Sequence, residues 1–470
     1  MSRPSPSNSD LGGFCMKRVT LVTAILALAV LVVALPAGCG SSSSGNTTNA
    51  AASASAPSGP VHLTIWVGWS ARELNEFKKV VAGYEQTHPN VTVTVRGSVN
   101  DDQIIAAIRG GKAPDVVSSF TSSNVGAFTT SGAWIDLGPF LKQSGITTAT
   151  FTPATMYYTQ YKGKRTALPL LADTWGLYYN KQMFAKAGIS GPPKTISELV
   201  ADAKKLTVRN ADGSLKVVGF DPFSGFYDGT PPMVVTYAHY FDAKFTDEQG
   251  HSILSQDPGW AALFTWQKDL VDWYGYDNLV RWQAAQGDQF SASNSFEIGK
   301  MAMTLDGEWR TAFIAAEHPE LKYGTAPGPV IDTHPELYGS GYVNGTIIGI
   351  PKGSQNPAAA WDLLKYLTTD THALAQFSNG IRNVPSTVDS LKSSELKPDP
   401  HFQPFYGIFG NPASTTSPIT AVGAAYQTLI QDFAVKYQAG KIADLHAGLV
   451  ELDKQIDAQL AQATLGGTAP

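Results

Sequence analysis

The 470-residue sequence predicts an α/β fold in which strands alternate with amphipathic helices. Three observations carry that prediction. Hydrophobic residues make up 43% of the chain against 16% charged, enough apolar surface for a sizeable core. From residue 61 onwards, β-branched runs alternate with apolar residues at helical spacing. No internal repeat or second linker interrupts the alternation, so any two lobes are wound together and not strung in series.

The elements follow in order. Val61 to Val67 reads as a strand. Leu74, Phe77, Val80, Val81 and Tyr84 then recur at spacings of three and four, a helix stopped by His88-Pro89. Val91 to Val95 is wholly β-branched and forms a second strand. Asp101 to Arg109 suits a second helix, Gly110-Gly111 ends it, and Asp115-Val116-Val117 opens a third strand. A β-α-β-α-β order implies a largely parallel sheet flanked by helices, with the ligand crevice outside the carboxyl ends of its strands. Later helices carry caps: Thr195-Ile196-Ser197-Glu198 is a capping box, and Asn356-Pro357 places a cap and an N1 proline before Ala358 to Leu367.

The first 60 residues read as processing signal and tether. Lys17-Arg18 precede the apolar run Val19 to Leu35 and the small-residue stretch Pro36-Ala37-Gly38-Cys39, which makes residues 1–38 a secretory signal, most naturally started from Met16. The run is 17 residues long, short of the ~20 that span a bilayer. Small residues before a lone Cys resemble the bacterial lipobox, in which Cys39 is lipidated and becomes the mature N-terminus; Pro36 stands where that motif usually carries Leu. Residues 39–60, rich in Ser, Ala and Gly, cannot bury a core and form a flexible linker. Cleavage near Ala37 with simple secretion is the alternative.

Composition and missing motifs exclude several functions. A net charge of -5 gives no basic footprint for nucleic acid. Cys15 and Cys39 are the only cysteines and both precede the folded part, so it holds no disulfide, no Cys-based zinc site and no thiol nucleophile. No His pair at i,i+4, no Gly-x-Ser-x-Gly elbow and no phosphate-binding Gly-Lys loop occurs, and no cofactor or metal is expected. Asp306 and Glu308 stand beside Trp309 and leave glycoside hydrolysis open as an alternative. Two catalytic carboxylates must face each other at roughly 5–9.5 Å, which positions i and i+2 rarely do.

Several ordered blocks are more specific. They are Gly111-Lys112-Ala113-Pro114-Asp115-Val116 with Ser131-Gly132-Ala133-Trp134; Tyr161-Lys162-Gly163-Lys164 with Leu168-Pro169; Gly176-Leu177-Tyr178-Tyr179-Asn180-Lys181; Gly299-Lys300-Met301-Ala302-Met303 with Gly307-Glu308-Trp309; and Gly349-Ile350-Pro351 with Asn356-Pro357 and Trp361. In this order they resemble the extracellular solute-binding proteins (family 1) of bacterial ABC sugar importers, the group that includes maltose-binding protein, over nearly all of residues 61–440.

The resemblance implies a two-lobe, periplasmic-binding-protein-like (Venus-flytrap) fold: an N-lobe of 61–171 plus about 346–396, a C-lobe of about 177–341 plus about 400–460, and a ligand cleft between them. Crossings are expected near Leu171–Leu177, Gly341–Thr346 and Leu391–His401. It also implies a receptor without turnover, which closes on a mono- or oligosaccharide and delivers it to an ABC permease; with the lipobox-like Cys39, the expectation is a monomer anchored to the outer face of the cell membrane. A non-sugar solute is a further alternative.

Sugar rings expose apolar faces and hydroxyl rims, so a site needs flat aromatics beside fixed donors and acceptors. Trp69-Ser70 follow the first strand at its cleft end. Asp173 stands in the apolar run Leu168 to Leu177, where an unpaired carboxylate is expensive, and by resemblance it falls on an acidic sugar ligand, with Trp175 two residues on. Trp309 matches a stacking aromatic. Ser119 and Ser122 occupy positions that maltose-binding protein fills with bulkier or acidic residues, and Ile419 falls near another of its aromatics, which puts maltodextrin specificity in doubt. Asp306 and Arg382 are ligand candidates or an interlobe ion pair. Tyr227, with Phe223 and Phe226, and Tyr342 complete the candidates; Trp66, Trp134 and Trp361 are assigned to packing.

Overall fold

Strand β1 (Val61–Trp66) lies between β2 (Val91–Arg96) and β3 (Val116–Ser119) and pairs with both in parallel. The computed structural model describes residues 59–223, 233–287, 289–397 and 399–466. Helix Ala71–Thr87 buries Phe77, Val80, Val81 and Tyr84, the predicted stripe, and ends where the backbone N–H of His88 donates to the Tyr84 and Glu85 carbonyls. Helix Asp101–Arg109 forms as predicted and adds an unforeseen capping box, in which Asn100 and Gln103 each accept the other's backbone N–H at 3.0 Å.

The third strand starts at Val116 because Asp115 is used through its side chain. Its carboxylate accepts the Thr64 N–H at 2.9 Å, the Ser354 hydroxyl at 3.1 Å and the Asn356 amide at 3.4 Å. Asn356 therefore makes no side-chain cap: helix Pro357–Thr369 begins on the predicted N1 proline alone. The Thr195–Glu198 capping box forms as expected at helix Ile196–Leu206.

The remaining strands are β4 (Leu168–Asn180), β5 (Val208–Arg209), β6 (Leu215–Phe220), β7 (Met301–Gly307), β8 (Tyr323–Pro327), β9 (Val343–Gly349) and β10 (Val384–Pro385). The order is β2-β1-β3-β9-β4-β7-β6-β5, with β8 and β10 also paired to β4. Parallel pairing is confined to β1–β2, β1–β3 and β6–β7. Every pair made by β4 or β9 is antiparallel, so the sheet is mixed. The reason is topological. A βαβ crossover returns a strand in parallel, whereas β9 enters the first half of the sheet from the second, and β4 enters the second half from the first.

Strand β4 changes partners within itself: Leu168 to Thr174 pair with β9, and Trp175 to Asn180 pair with β7 and β8. Hydrophobic packing changes at the same point. Leu168, Leu170 and Leu171 join a core with Leu63, Phe77 and Trp361, while Trp175, Leu177 and Tyr178 join another with Trp260, Leu305 and Ile430. The result is a two-lobe α/β fold threaded by one buried strand. Trp134 and Trp361 are core residues, each 2% exposed, and Trp66 is half-buried beneath the Arg96 guanidinium. Among the described residues no helix is long and apolar enough to cross a membrane.

Candidate functional site

A cavity of about 440 Å³ opens where β4 changes partners. One side is formed by the turn after β1 (Trp69, Ser70, Arg72, Glu73) and by Phe120, just past β3, both at carboxyl strand ends as the crevice rule requires. The opposite side is formed by Phe290, Trp309, Phe313 and Glu317. Asp173 and Trp175 of β4, Asn344 and Thr346 of β9, and Asn383 form the floor.

Trp175 and Trp309 meet edge to face, centroids 5.3 Å apart at 85°, a geometry that aromatic quadrupoles favour and that presents perpendicular apolar faces. The indole of Trp309 folds back over Gly307, where a Cβ would lie 2.0 Å from the ring. Trp69 is 4% exposed and held among Phe77, Phe120 and Phe377; it belongs to the core and reaches the cavity as part of its wall.

The polar floor is tightly organised. Asn383 donates from Nδ2 to Asp173 Oδ1. Glu308 accepts the Thr174 N–H at 2.8 Å and returns its own N–H to the Thr174 carbonyl at 3.3 Å, fastening the β7 end to β4. Burial raises the Asp173 carboxyl above its usual range against the Asn383 hydrogen bond, and raises Glu308 well above its own, with the neighbouring Asp173 adding to it. Burial also lifts Glu73 to about 7, against the lowering pull of Arg72 and Arg310. Arg72 donates to the Gly380 carbonyl at 2.8 Å and lies over the Phe313 ring at 5.0 Å.

Of the residues expected from sequence, Trp69, Ser70, Asp173, Trp175 and Trp309 line this cavity, and Ser119, Asp306, Tyr342 and Arg382 do not. Ser119 donates to Asp101 at 2.8 Å, and its neighbour Phe120 takes the wall position. Tyr342 packs behind Trp175 at 5.2 Å with its hydroxyl 2.8 Å from that of Ser417. Arg382, at φ 58°, turns outward to pair with Asp399, and the next residue, Asn383, points in. Asp306 pairs with Arg310 at 2.8 Å, so Asp306 and Arg382 form no ion pair with each other. Phe223 is half-buried against the second core; Phe226, Tyr227 and Cys39 lie outside the described residues.

The wall residues not anticipated include Phe120, Arg72, Glu73, Phe290, Phe313, Glu317, Asn344, Thr346 and Asn383. Phe120 and Asn383 directly follow predicted residues, and Arg72-Glu73 closely follow Ser70; Phe290 and Phe313 carried no signal. Hydrolysis finds no support in this geometry. Asp306 is ion-paired away from the cavity, and Glu308 is 0% exposed with its carboxyl held on a backbone N–H. Among the described residues no group of three or more His, Cys, Asp or Glu is placed to hold a metal.

Known proteins agree with this architecture. Residues 68–373 match the bacterial extracellular solute-binding protein family. The maltotriose-binding protein of Pyrococcus abyssi is 23% identical over 348 residues, 73% of this chain and 71% of its own. A putative binding protein of Brucella abortus is 30% identical over 210 residues, 44% of this chain and 47% of its own, so the chain spans about half of that relative. Among solved structures, CpMnBP1 with mannotriose bound superposes with a TM-score of 0.76 at 26% identity, over 84% of this chain and 100% of that one. A Thermotoga lettingae ABC transporter solute-binding protein bound with α-D-tagatose gives 0.72 at 24%, over 85% and 99%, a likeness of fold. With a partner-switching strand, a cavity at the switch and a family match across well over half its length, the chain belongs to the bacterial extracellular solute-binding proteins.

Proposed function

We propose that this protein is the sugar receptor of an ABC importer, closing its two lobes on a mono- or oligosaccharide and presenting it to a membrane permease. The observation that carries the reading is the cavity wall. Perpendicular Trp175 and Trp309 faces stand beside Asp173, Asn344 and Asn383, which suits a pyranose with apolar C–H faces and a hydroxyl rim. Trp69, Ser70, Asp173, Trp175 and Trp309 are the ligand contacts in this reading, joined by Arg72 and Asn383. Names of similar proteins support it: maltotriose, maltodextrin and mannotriose appear in them.

The lobes divide as the sequence suggests, 61–171 with 346–396 and 177–341 with 400–460. Residues 1–38 act as the export signal, Cys39 carries the lipid, and 39–60 tether a monomeric receptor to the outer face of the cell membrane. Isothermal calorimetry against a panel of common mono- and oligosaccharides tests the reading: one sugar binds tightly and is recovered unchanged. At 100 times its dissociation constant that sugar stabilises the fold by about 2.7 kcal/mol, a visible melting shift. Silence across the panel, or product from an aryl glycoside, overturns it.

A further inference from the structure

We propose that Arg310 is the positioning residue of the cavity's aromatic wall: it touches no solute, but holds Phe290 and Phe313 where binding needs them. The identity of the solute rests on the sugar reading above; the wall itself does not. Phe290 and Phe313 both line the cavity, with ring centroids 5.7 Å apart. Phe313 lies on helix Arg310–Glu317, which begins directly after Trp309. Phe290 instead belongs to residues 289–298, which form no helix and no strand. A ring on such a loop has no sheet ladder to fix it, so its place is set by side-chain ties to more regular elements.

Arg310 supplies the main tie. It lines no part of the cavity and is 0% exposed. Its Nε donates to Asp306 on β7 at 2.8 Å, which fixes the first turn of the helix, and its Nη1 donates to Glu297 of the loop at 2.9 Å. The guanidinium carbon lies 5.2 Å from the Phe313 ring centroid and 5.9 Å from that of Phe290, so one planar cation backs both wall rings. At the far end of the same helix, His318 Nε2 donates to the Ala292 carbonyl at 2.7 Å and ties the loop a second time. Stability alone does not account for the buried charges. Such a triad is often no more stabilising than apolar side chains of the same volume, and the Nη2 of Arg310 has no hydrogen-bond partner. What the guanidinium fork adds is fixed distances between β7, the helix and the loop.

The test pairs crystallography with calorimetry on the intact protein, for Arg310→Lys and for a neutral triple variant, Arg310→Met with Glu297→Gln and Asp306→Asn. Lys keeps the charge without the fork. The triple variant removes the buried charges together, so it folds even where the single change does not. We expect the triple variant to melt no lower than the wild type, yet to show the Phe290 ring displaced by about 1 Å or more. Both variants then bind about tenfold more weakly whichever of mannose, mannotriose, glucose and maltotriose the wild type takes. A merely structural triad predicts the opposite: affinity that falls only where the melting temperature falls, and that the triple variant restores. That result, or wall rings unmoved in both variants, overturns the proposal. If the wild type binds none of the four sugars, the sugar reading falls, and the crystal structures still decide the role of Arg310 by whether Phe290 has moved.

Discussion

Asp173, in the floor of the cavity, and Glu308, wholly buried behind it, are neighbouring carboxyls, and burial raises both. The sign of the consequence follows. An acid whose folded pKa exceeds its unfolded value, about 4.3 for Glu, contributes stability in full below the unfolded value and loses it as pH rises through the folded one. Glu308→Gln keeps an acceptor for the Thr174 N–H but cannot ionise, so its melting temperature minus that of the wild type becomes more positive from pH 5 to pH 8. A difference independent of pH contradicts the buried pair. On the proposed sugar reading Trp309 is the stacking anchor, and Trp309→Ala weakens affinity about 100-fold, the ~3 kcal/mol expected for truncating a buried aromatic anchor, with the fold intact by circular dichroism. Gly307→Ala does the same indirectly, since its Cβ would enter the space of the Trp309 ring.

At the scale of elements, helix Ile196–Leu206 lies directly on β6. A Cβ on Gly219 would stand 1.9 Å from the Ala203 carbonyl oxygen, and backbone cannot yield as a side-chain tip can. Gly219→Ala therefore destabilises by roughly 1–3 kcal/mol, the usual range for overpacking, read as a lower urea midpoint with unchanged slope. Thr195→Ala, which removes the cap of the same helix, costs about 1 kcal/mol. The helix, its cap and the first three strands were legible in sequence because apolar period and capping residues are local signals. Side-chain direction at element ends was not. Ser119 and Arg382 were predicted where Phe120 and Asn383 point inward, because one residue along an extended chain reverses the face and a left-handed Arg382 resets the direction.

For the whole molecule, Arg72 is anchored by the Gly380 carbonyl, on the helix that packs Phe377 and Ile381 into the first core, and set over Phe313 of the second, so it links the two cores. A cation–π contact of about 1 kcal/mol spent on closure is worth roughly fivefold in Kd. Arg72→Ala weakens binding by that amount and raises the radius of gyration of the unliganded protein in X-ray scattering; unchanged values for both mean that Arg72 does not hold the lobes together. The sequence by itself determined the alternating elements, the apolar run of β4 and the Asp173 and Trp309 positions, since these rest on local period and ordered motifs. Only the tertiary structure decided the mixed sheet, the placing of Asp306 and Arg382 in separate ion pairs, and the lining of the cavity by Arg72, Phe290 and Phe313. The physical reason is that a strand's direction, and which side chains share a cavity wall, depend on residues more than a hundred positions apart, brought together only when β4 and β9 pair.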